Sequence, residues 1–102
     1  MGVLSVLFGK KDPEIKKALD AGAIIIDVRT AGEFASGNIP GSINMPLQSL
    51  PGSVKNLKDK KKPVITVCAS GMRSGAAKKI LESNGFMVIN GGSWLSVKSM
   101  IS

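Results

Sequence analysis

The stretch PVITVCASGMRSGAAKKIL, residues 63–81, decides the fold prediction. Its apolar part, 64–68, is typical of a strand that is buried on both faces of a parallel sheet. A loop of small residues follows, and the remainder predicts a helix whose apolar face consists of Ala76, Ala77, Ile80 and Leu81. A strand, a short loop and a helix in this order form one unit of an alternating α/β pattern.

The alternation extends in both directions from this unit. Asp12 as a cap and Pro13 at the first helical position predict where the first helix begins. Thr30 and Glu33 have the spacing of a capping box for a short helix. In chain order the predicted elements are a helix over 12–22, a strand over 23–28, a helix over 30–37, a strand over 42–44, an interrupted helix over 47–57, the central unit up to Asn84-Gly85, a strand over 87–89, a turn at Gly91-Gly92 and a final helix from about Ser93.

These elements predict an α/β fold with a mainly parallel central sheet flanked by helices on both faces. A length of 102 residues favours one domain, so we expect a single domain over residues 1–102. Residues 1–11 form an N-terminal extension. Its apolar patch, Val3 to Phe8, either packs on the domain or joins two copies, and we expect a monomer.

The composition excludes several classes of site. The single cysteine cannot form an intramolecular disulfide, which favours a reducing compartment, and we expect the cytoplasm. The absence of histidine excludes Ser-His-Asp and Cys-His arrangements and removes the usual metal ligand. No stretch approaches the ~20 apolar residues of a membrane span, so we expect no membrane partner.

The net charge of +7 is concentrated in lysine-rich segments at 10–11, 16–17, 58–62 and 78–79. These segments are either solvated faces or a field that attracts small anions or an acidic partner. The aromatic residues do not interleave with them, so we expect no nucleic-acid partner.

Two strand ends indicate one candidate site. Open parallel sheets bind ligands beyond the carboxyl ends of their strands. Cys68 ends the most apolar strand, and Asp27 and Arg29 lie at the end of another. We therefore expect these residues at the same edge of the sheet.

Cys68 is either a small buried hydrophobic residue or a nucleophile. The loop CASGMRS, residues 68–74, can curl around Gly71 so that successive backbone N–H groups point inward and bind an anion. The start of the next helix and the charge of Arg73 add to this effect. All of these stabilise a thiolate, which needs no separate base once its pKa lies below the ambient pH. The same donors would hold the outer sulfur of a persulfide on Cys68.

Three segments carry a resemblance to a known family. They are 26–29 (IDVR) with 33–34 (EF) and 37–44 (GNIPGSIN), then 68–74 (CASGMRS), then 85–86 (GF) with 90–92 (NGG) and Trp94. Together they resemble the rhodanese-like sulfurtransferases, in particular the small single-domain members, over nearly all of residues 24–94. Asn38 departs from the family, in which histidine is common at this position.

The resemblance implies a two-step sulfur transfer that needs no cofactor and no metal. The Cys68 thiolate would take the outer sulfur of a small anionic donor such as thiosulfate, and cyanide, a thiol or a protein would accept it. Four residues separate Cys68 and Arg73. Related phosphatases and arsenate reductases have one residue more, so this loop resembles the sulfur-handling members.

The resemblance also implies the residues of the site. The active-site loop would comprise Ala69, Ser70, Gly71, Met72, Arg73 and Ser74, with Asp27 and Arg29 in support. Arg73 either contacts the donor or the persulfide, or pairs with Asp27 or Glu33 and holds the loop in shape. Ser70 and Ser74 either donate to the sulfur or cap the helix.

The remaining candidates have mainly structural interpretations. Asp27 is expected to accept loop N–H groups or an arginine, and Arg29 is ion-paired, solvated or substrate-steering. Gly71 is expected to supply backbone freedom or to allow a close approach. Met72 lines the mouth of the pocket or is exposed and idle, and Trp94 is expected to pack in the core.

Two functions of different classes stay open. One is a catalytic sulfurtransferase. The other is a carrier or binding module that receives persulfide from one protein and passes it to another, with little turnover of thiosulfate. The intact Cys68 and the full-length loop favour chemistry over an inactive scaffold or a regulatory interaction domain.

Overall fold

A computed structural model describes residues 12–101, so the predictions on residues 1–11 lie outside the described residues. Helices and strands alternate along the chain. They are α1 (Pro13–Asp20), β1 (Ile24–Asp27), α2 (Ala31–Ser36), β2 (Ile43–Asn44), α3 (Leu50–Ser53), β3 (Val64–Cys68), α4 (Met72–Glu82), β4 (Val88–Ser93) and α5 (Trp94–Ser99).

The four strands form one sheet in the order β2-β1-β3-β4, and every neighbouring pair is parallel. All five residues of β3, which lies inside the sheet, are buried. The predicted α/β fold with a parallel central sheet is confirmed. Because the strands run in the same direction, the carboxyl ends of β1 and β3 are neighbours: Asp27 pairs with Val67, the residue before Cys68.

Alternate residues of β3 face opposite sides of the sheet, as the pleat of a strand requires. Val64 and Cys68 pack on the side of α3 and α4. Ile65 and Val67 pack on the side of α1 and α5. Helices therefore cover both faces, and the continuous apolar run of β3 follows from that double burial.

The predicted helix starts are confirmed. Asp12 Oδ1 accepts a hydrogen bond from the Glu14 N–H at 2.9 Å, with Pro13 as the first helical residue. At α2, the Thr30 N–H donates to Glu33 Oε1 at 2.9 Å, and the Glu33 N–H donates to Thr30 Oγ1 at 3.2 Å. These bonds satisfy N–H groups that have no partner within the first turn of a helix.

The predicted turn at Gly91-Gly92 is wrong, because β4 runs through both glycines. Asn90 pairs with Thr66 of β3, and Gly92 pairs with Val67. Gly91 is therefore the extra residue of a β-bulge.

Close packing explains why glycine occupies the bulge. A Cβ atom on Gly91 would lie 2.7 Å from Ile65 Cγ2 and 2.9 Å from the Thr66 carbonyl oxygen. A glycine pair indicates a turn in many sequences, but inside a strand it also marks a close approach of two backbones.

Several other boundaries differ from the prediction by one or a few residues, as is common at the ends of elements. β1 and β2 are shorter than the strands predicted over 23–28 and 42–44. β4 begins one residue later than the strand predicted over 87–89 and extends further, to Ser93. The interrupted helix over 47–57 is a short α3 between two 3-10 turns, Leu47–Ser49 and Val54–Asn56. The last helix begins at Trp94, with Ser93 as its cap.

Candidate active site

Cys68 is the last residue of β3, and its side chain is fully buried. Its sulfur lies inside the loop that leads into α4. The Gly71 N–H donates to Sγ at 2.9 Å and the Ser74 N–H at 3.3 Å, while Ser74 Oγ lies 3.4 Å from Sγ. The sulfur is thus surrounded by polar groups that favour a negative charge.

The sulfur takes the place of a capping side chain at the start of α4. The residue at the cap position is Gly71, which has no side chain with which to cap the helix. The N–H of Ser74, the third residue of α4, would otherwise lack a partner and donates to Sγ instead. Of the two alternatives for Ser70 and Ser74, capping of the helix is not seen.

Gly71 allows the loop to curl. Its φ of +113° lies in the region that side-chain-bearing residues rarely adopt. This conformation turns the Gly71 N–H toward Sγ. The expected backbone freedom of this glycine is seen in the structure.

The environment of the sulfur lowers the pKa of Cys68. Burial acts to raise it, but the hydrogen bond with the Ser74 side chain and those from the backbone N–H groups of Ser74, Gly71 and Ser70 together outweigh burial. The result is a pKa below the usual value for cysteine, which increases the thiolate fraction near neutral pH.

Arg73 pairs with Glu33, which was one of the two carboxylates expected for it. Arg73 NH1 lies 2.7 Å from Glu33 Oε1, and NH2 lies 3.0 Å from Oε2. The hydrogen bond to Arg73 is the largest cause that lowers the pKa of Glu33 to about 2, followed by that from the Thr30 N–H. The ion pair therefore joins the start of α4 to α2.

Asp27 and Arg29 form a second ion pair, which is buried and structural. Arg29 NH2 lies 2.8 Å from Asp27 Oδ2, and both the Nε–H and the backbone N–H of Arg29 also donate to Asp27. Arg29 NH2 further donates to the carbonyl of Gly37, and its guanidinium lies 4.4 Å from the ring centre of Trp94. The expected structural role of Asp27 and the ion-paired alternative for Arg29 agree with these contacts.

The other loop residues differ in exposure. Ala69 and Ser70 are exposed, and Met72 is 84% exposed at the start of α4. Trp94 is partly buried and packs on the core cluster of α1 and α5, as expected. Whether Met72 contacts a ligand stays a prediction, as do the proposed roles of the loop in sulfur transfer.

Asn90 is a residue of the site that the sequence analysis does not predict. Its Oδ1 accepts hydrogen bonds from the Ser74 hydroxyl at 2.6 Å and the Gly92 N–H at 2.9 Å, and its Nδ2 donates to the Gly71 carbonyl at 3.2 Å. The available signal was its place directly after the predicted strand over 87–89.

Neither a metal cluster nor a membrane span is found in the described part of the chain. Between residues 12 and 101, no three His, Cys, Asp or Glu side chains group together as metal ligands would. None of the helices in that range is both long enough and apolar enough to cross a membrane.

Comparison with known proteins identifies the family. The chain is 33% identical over 92 residues to the thiosulfate:glutathione sulfurtransferase of Saccharomyces cerevisiae, covering 78% of this chain but only 60% of that protein. It is 35% identical over 80 residues to a thiosulfate sulfurtransferase of Pseudomonas savastanoi, covering 78% of this chain and 74% of that protein.

The solved structures include a similar protein from E. coli, described as rhodanese with anions. It is 32% identical, with a TM-score of 0.66, and the match covers 72% of this chain and 89% of that one. Residues 12–97 of this chain match the family described as Rhodanese-like domain. The chain therefore belongs to the rhodanese-like domain family.

Proposed function

We propose that the chain is a sulfurtransferase that carries the transferred sulfur as a persulfide on Cys68. One observation carries the proposal: Sγ lies at the end of β3 with the N–H groups of Gly71 and Ser74 directed at it. These donors stabilise negative charge on the sulfur before any substrate binds. The chain thereby obtains a nucleophile without histidine.

The first step of the proposed reaction takes sulfur from thiosulfate. The Cys68 thiolate attacks the outer sulfur atom, and a new S–S bond forms to Sγ. The S–S bond of thiosulfate breaks, and sulfite leaves with the electron pair. The product is a persulfide anion on Cys68, so the negative charge remains near the N–H donors of the loop.

The second step passes the sulfur to an acceptor. Cyanide or a thiolate attacks the outer sulfur of the persulfide, and the S–S bond to Sγ breaks. Thiocyanate or a new persulfide leaves, and Cys68 returns to the thiolate. Neither step needs an additional oxidant or reductant, because sulfur moves between two nucleophiles.

The relatives support this class of reaction, since two of them are named for transfer of sulfur from thiosulfate. We further propose that the chain acts as a monomer in the cytoplasm, where an unpaired thiol stays reduced. The donor would be a small anion such as thiosulfate, and the acceptor a thiol or a protein.

The test follows the sulfur on the protein itself. Reduced protein is incubated with thiosulfate, its intact mass is measured, and cyanide is then added while thiocyanate is followed. Cys68→Ser is the comparison, with the fluorescence of the single tryptophan as a check that both chains fold. We expect the wild type to gain one sulfur atom and turn over repeatedly, and the variant to do neither.

Two results would redirect the proposal. If the wild type gains no sulfur and makes no thiocyanate, the thiosulfate reaction is wrong. Persulfide from a cysteine desulfurase is then offered to the same protein. Loading from that donor alone would support the carrier function, and loading of Cys68→Ser to the same level would exclude Cys68 as the sulfur acceptor.

A further inference from the structure

The side chain of Asn90 contacts two residues that in turn contact the sulfur through other atoms or through the same hydroxyl. It accepts from the Ser74 hydroxyl and donates to the Gly71 carbonyl. The Gly71 N–H and Ser74 both lie against Sγ of Cys68. Asn90 itself is exposed on β4, whereas Ser74 and Cys68 are fully buried.

The hydrogen-bond donors fix the orientation of the Asn90 amide. The Gly92 backbone N–H can only donate, so the atom that it contacts at 2.9 Å must be the carbonyl oxygen, Oδ1. The same oxygen lies 2.6 Å from Ser74 Oγ. Since a carbonyl oxygen can only accept, the Ser74 hydroxyl is the donor in this contact.

The Ser74 hydroxyl has one hydrogen and two possible acceptors. While Cys68 is a thiol, its S–H can donate to Ser74 Oγ at 3.4 Å, and the hydroxyl can donate to Asn90. Once Cys68 is a thiolate, the sulfur can only accept. The hydroxyl can then reach the sulfur only by leaving Asn90 Oδ1, which keeps the hydrogen bond from Gly92.

We propose that Asn90 is a positioning residue of the site, which competes with the sulfur of Cys68 for the Ser74 hydroxyl proton. Asn90 holds this proton while the sulfur is protonated and yields it when the sulfur carries negative charge. Its second contact, with the Gly71 carbonyl, is independent of this competition and supports the loop in both states.

The competition predicts an effect that passes only through Ser74. Removal of the Asn90 amide leaves the Ser74 hydroxyl, which is buried, with the sulfur as its remaining partner among its present contacts. The hydroxyl then stabilises the thiolate more effectively. Loss of the contact to the Gly71 carbonyl would remove support from the loop and raise the pKa of Cys68. A single substitution therefore cannot separate the two effects.

A double-mutant cycle separates them. The four proteins are the wild type, Asn90→Ala, Ser74→Ala and the combination of both. The pKa of Cys68 is read from the ultraviolet absorbance of the thiolate during a pH titration. The signal is specific, because the chain has one cysteine and no tyrosine. The charged groups nearest the loop, Arg73 with Glu33 and Arg29 with Asp27, are the same in all four proteins.

We expect Asn90→Ala to shift the pKa of Cys68 downward in the presence of Ser74, relative to its effect in the Ser74→Ala background. The difference between the two shifts should be roughly half a pH unit to one unit, the size of one hydrogen bond. Equal shifts in both backgrounds, or a difference of opposite sign, would overturn the proposal. A purely structural role for Asn90 predicts equal shifts.

Two further points keep the experiment decisive. Asn90 is exposed, so its substitution should leave the fold intact. If Ser74→Ala does not fold, the four proteins are made again with Gly32→Ala, a helical position where the added Cβ meets no atom within 4 Å and alanine is favoured over glycine. The inference rests on the proposed function of Cys68 as the nucleophile, but the titration uses no sulfur donor. Failure to form a persulfide would contradict the proposed function alone, and equal pKa shifts would contradict the role of Asn90 alone.

Discussion

Arg73 and Glu33 join the start of α4 to α2 through two parallel contacts, NH1 to Oε1 at 2.7 Å and NH2 to Oε2 at 3.0 Å. The same carboxylate closes the capping box with Thr30. Glu33 therefore serves the start of one helix and the arginine of another. Its negative charge offsets the positive charge of Arg73. The groups directed at Sγ are instead the N–H groups of Gly71 and Ser74.

The ion pair predicts a pH dependence of stability. Because the pKa of Glu33 is lowered from 4.5 to about 2, its charge stabilises the fold above pH 4.5, and this contribution is lost as the pH falls toward 2. We expect Glu33→Gln, which keeps a capping side chain, to be slightly less stable than the wild type at neutral pH. The side chains are 35% and 37% exposed, so solvent weakens the effect.

Urea unfolding at several pH values between about 7 and 2 measures this difference. The gap between wild type and Glu33→Gln should close as the pH approaches 2. Glu82→Gln, at an exposed position at the end of α4, serves as the control and should keep the pH dependence of the wild type. A constant gap over the whole range would show that the charge of Glu33 is not the cause.

Breaking the buried pair of Asp27 and Arg29 should cost far more stability than breaking the exposed pair. Asp27 is fully buried and Arg29 nearly so, and Asp27→Asn would leave a buried guanidinium without its counter-charge. We expect the free energy of unfolding to fall by about 3–5 kcal/mol. Asp20→Asn, which removes an exposed carboxylate paired with Lys16, should cost less than about 1 kcal/mol. Similar losses in the two variants would contradict this assignment.

The sequence predicted the central unit well because two independent signals agree there. The apolar run of β3 indicates burial on both faces, and the small residues Ala69, Ser70 and Gly71 allow a short, curled loop before α4. Local chemistry therefore places Cys68 at the carboxyl edge of the sheet. Both helix caps were predictable for the same reason, since capping depends on residues within one turn.

The partner of Arg73 could not be predicted from the sequence. Asp27 and Glu33 are both carboxylates near the end of β1, and spacing does not rank them. The structure decides because Asp27 already accepts four hydrogen bonds from Arg29. The choice depends on a buried pair that forms only once the chain has folded.

The role of Asn90 was hidden for a different reason. Its contact with Ser74 depends on the register of β4 against β3, and that register shifts at Gly91. The glycine pair was interpreted as a turn, which would have removed residues 90–92 from the sheet. A side chain 16 positions from its partner is brought to it by tertiary structure alone.

The bulge predicts a steric penalty at Gly91. A Cβ atom there would lie within 3.0 Å of Ile65, the Thr66 carbonyl oxygen and Val97, and the backbone oxygen cannot move aside without disturbing β3. We expect Gly91→Ala to lower the free energy of unfolding by about 1–3 kcal/mol. Gly32→Ala, in α2 with no atom within 4 Å, should be neutral or stabilising by up to about 1 kcal/mol. Urea unfolding of both variants checks the contrast, and a neutral Gly91→Ala would refute the close packing.

Gly71 should influence stability and the sulfur together, and a matched glycine separates the two effects. Gly71 and Gly41 have φ of +113° and +86°, so alanine at either should cost about 1–3 kcal/mol. Of these two glycines, Gly71 donates its N–H to Sγ, whereas Gly41 precedes β2 at the amino-terminal edge of the sheet. Gly71→Ala should therefore raise the pKa of Cys68 and slow its alkylation by iodoacetamide at neutral pH, because the strained residue turns its N–H away.

Gly41→Ala serves as the control. It should lose stability but keep the alkylation profile of the wild type. An unchanged profile in Gly71→Ala would mean that this N–H does not hold the thiolate, and the lowered pKa would then depend on Ser74.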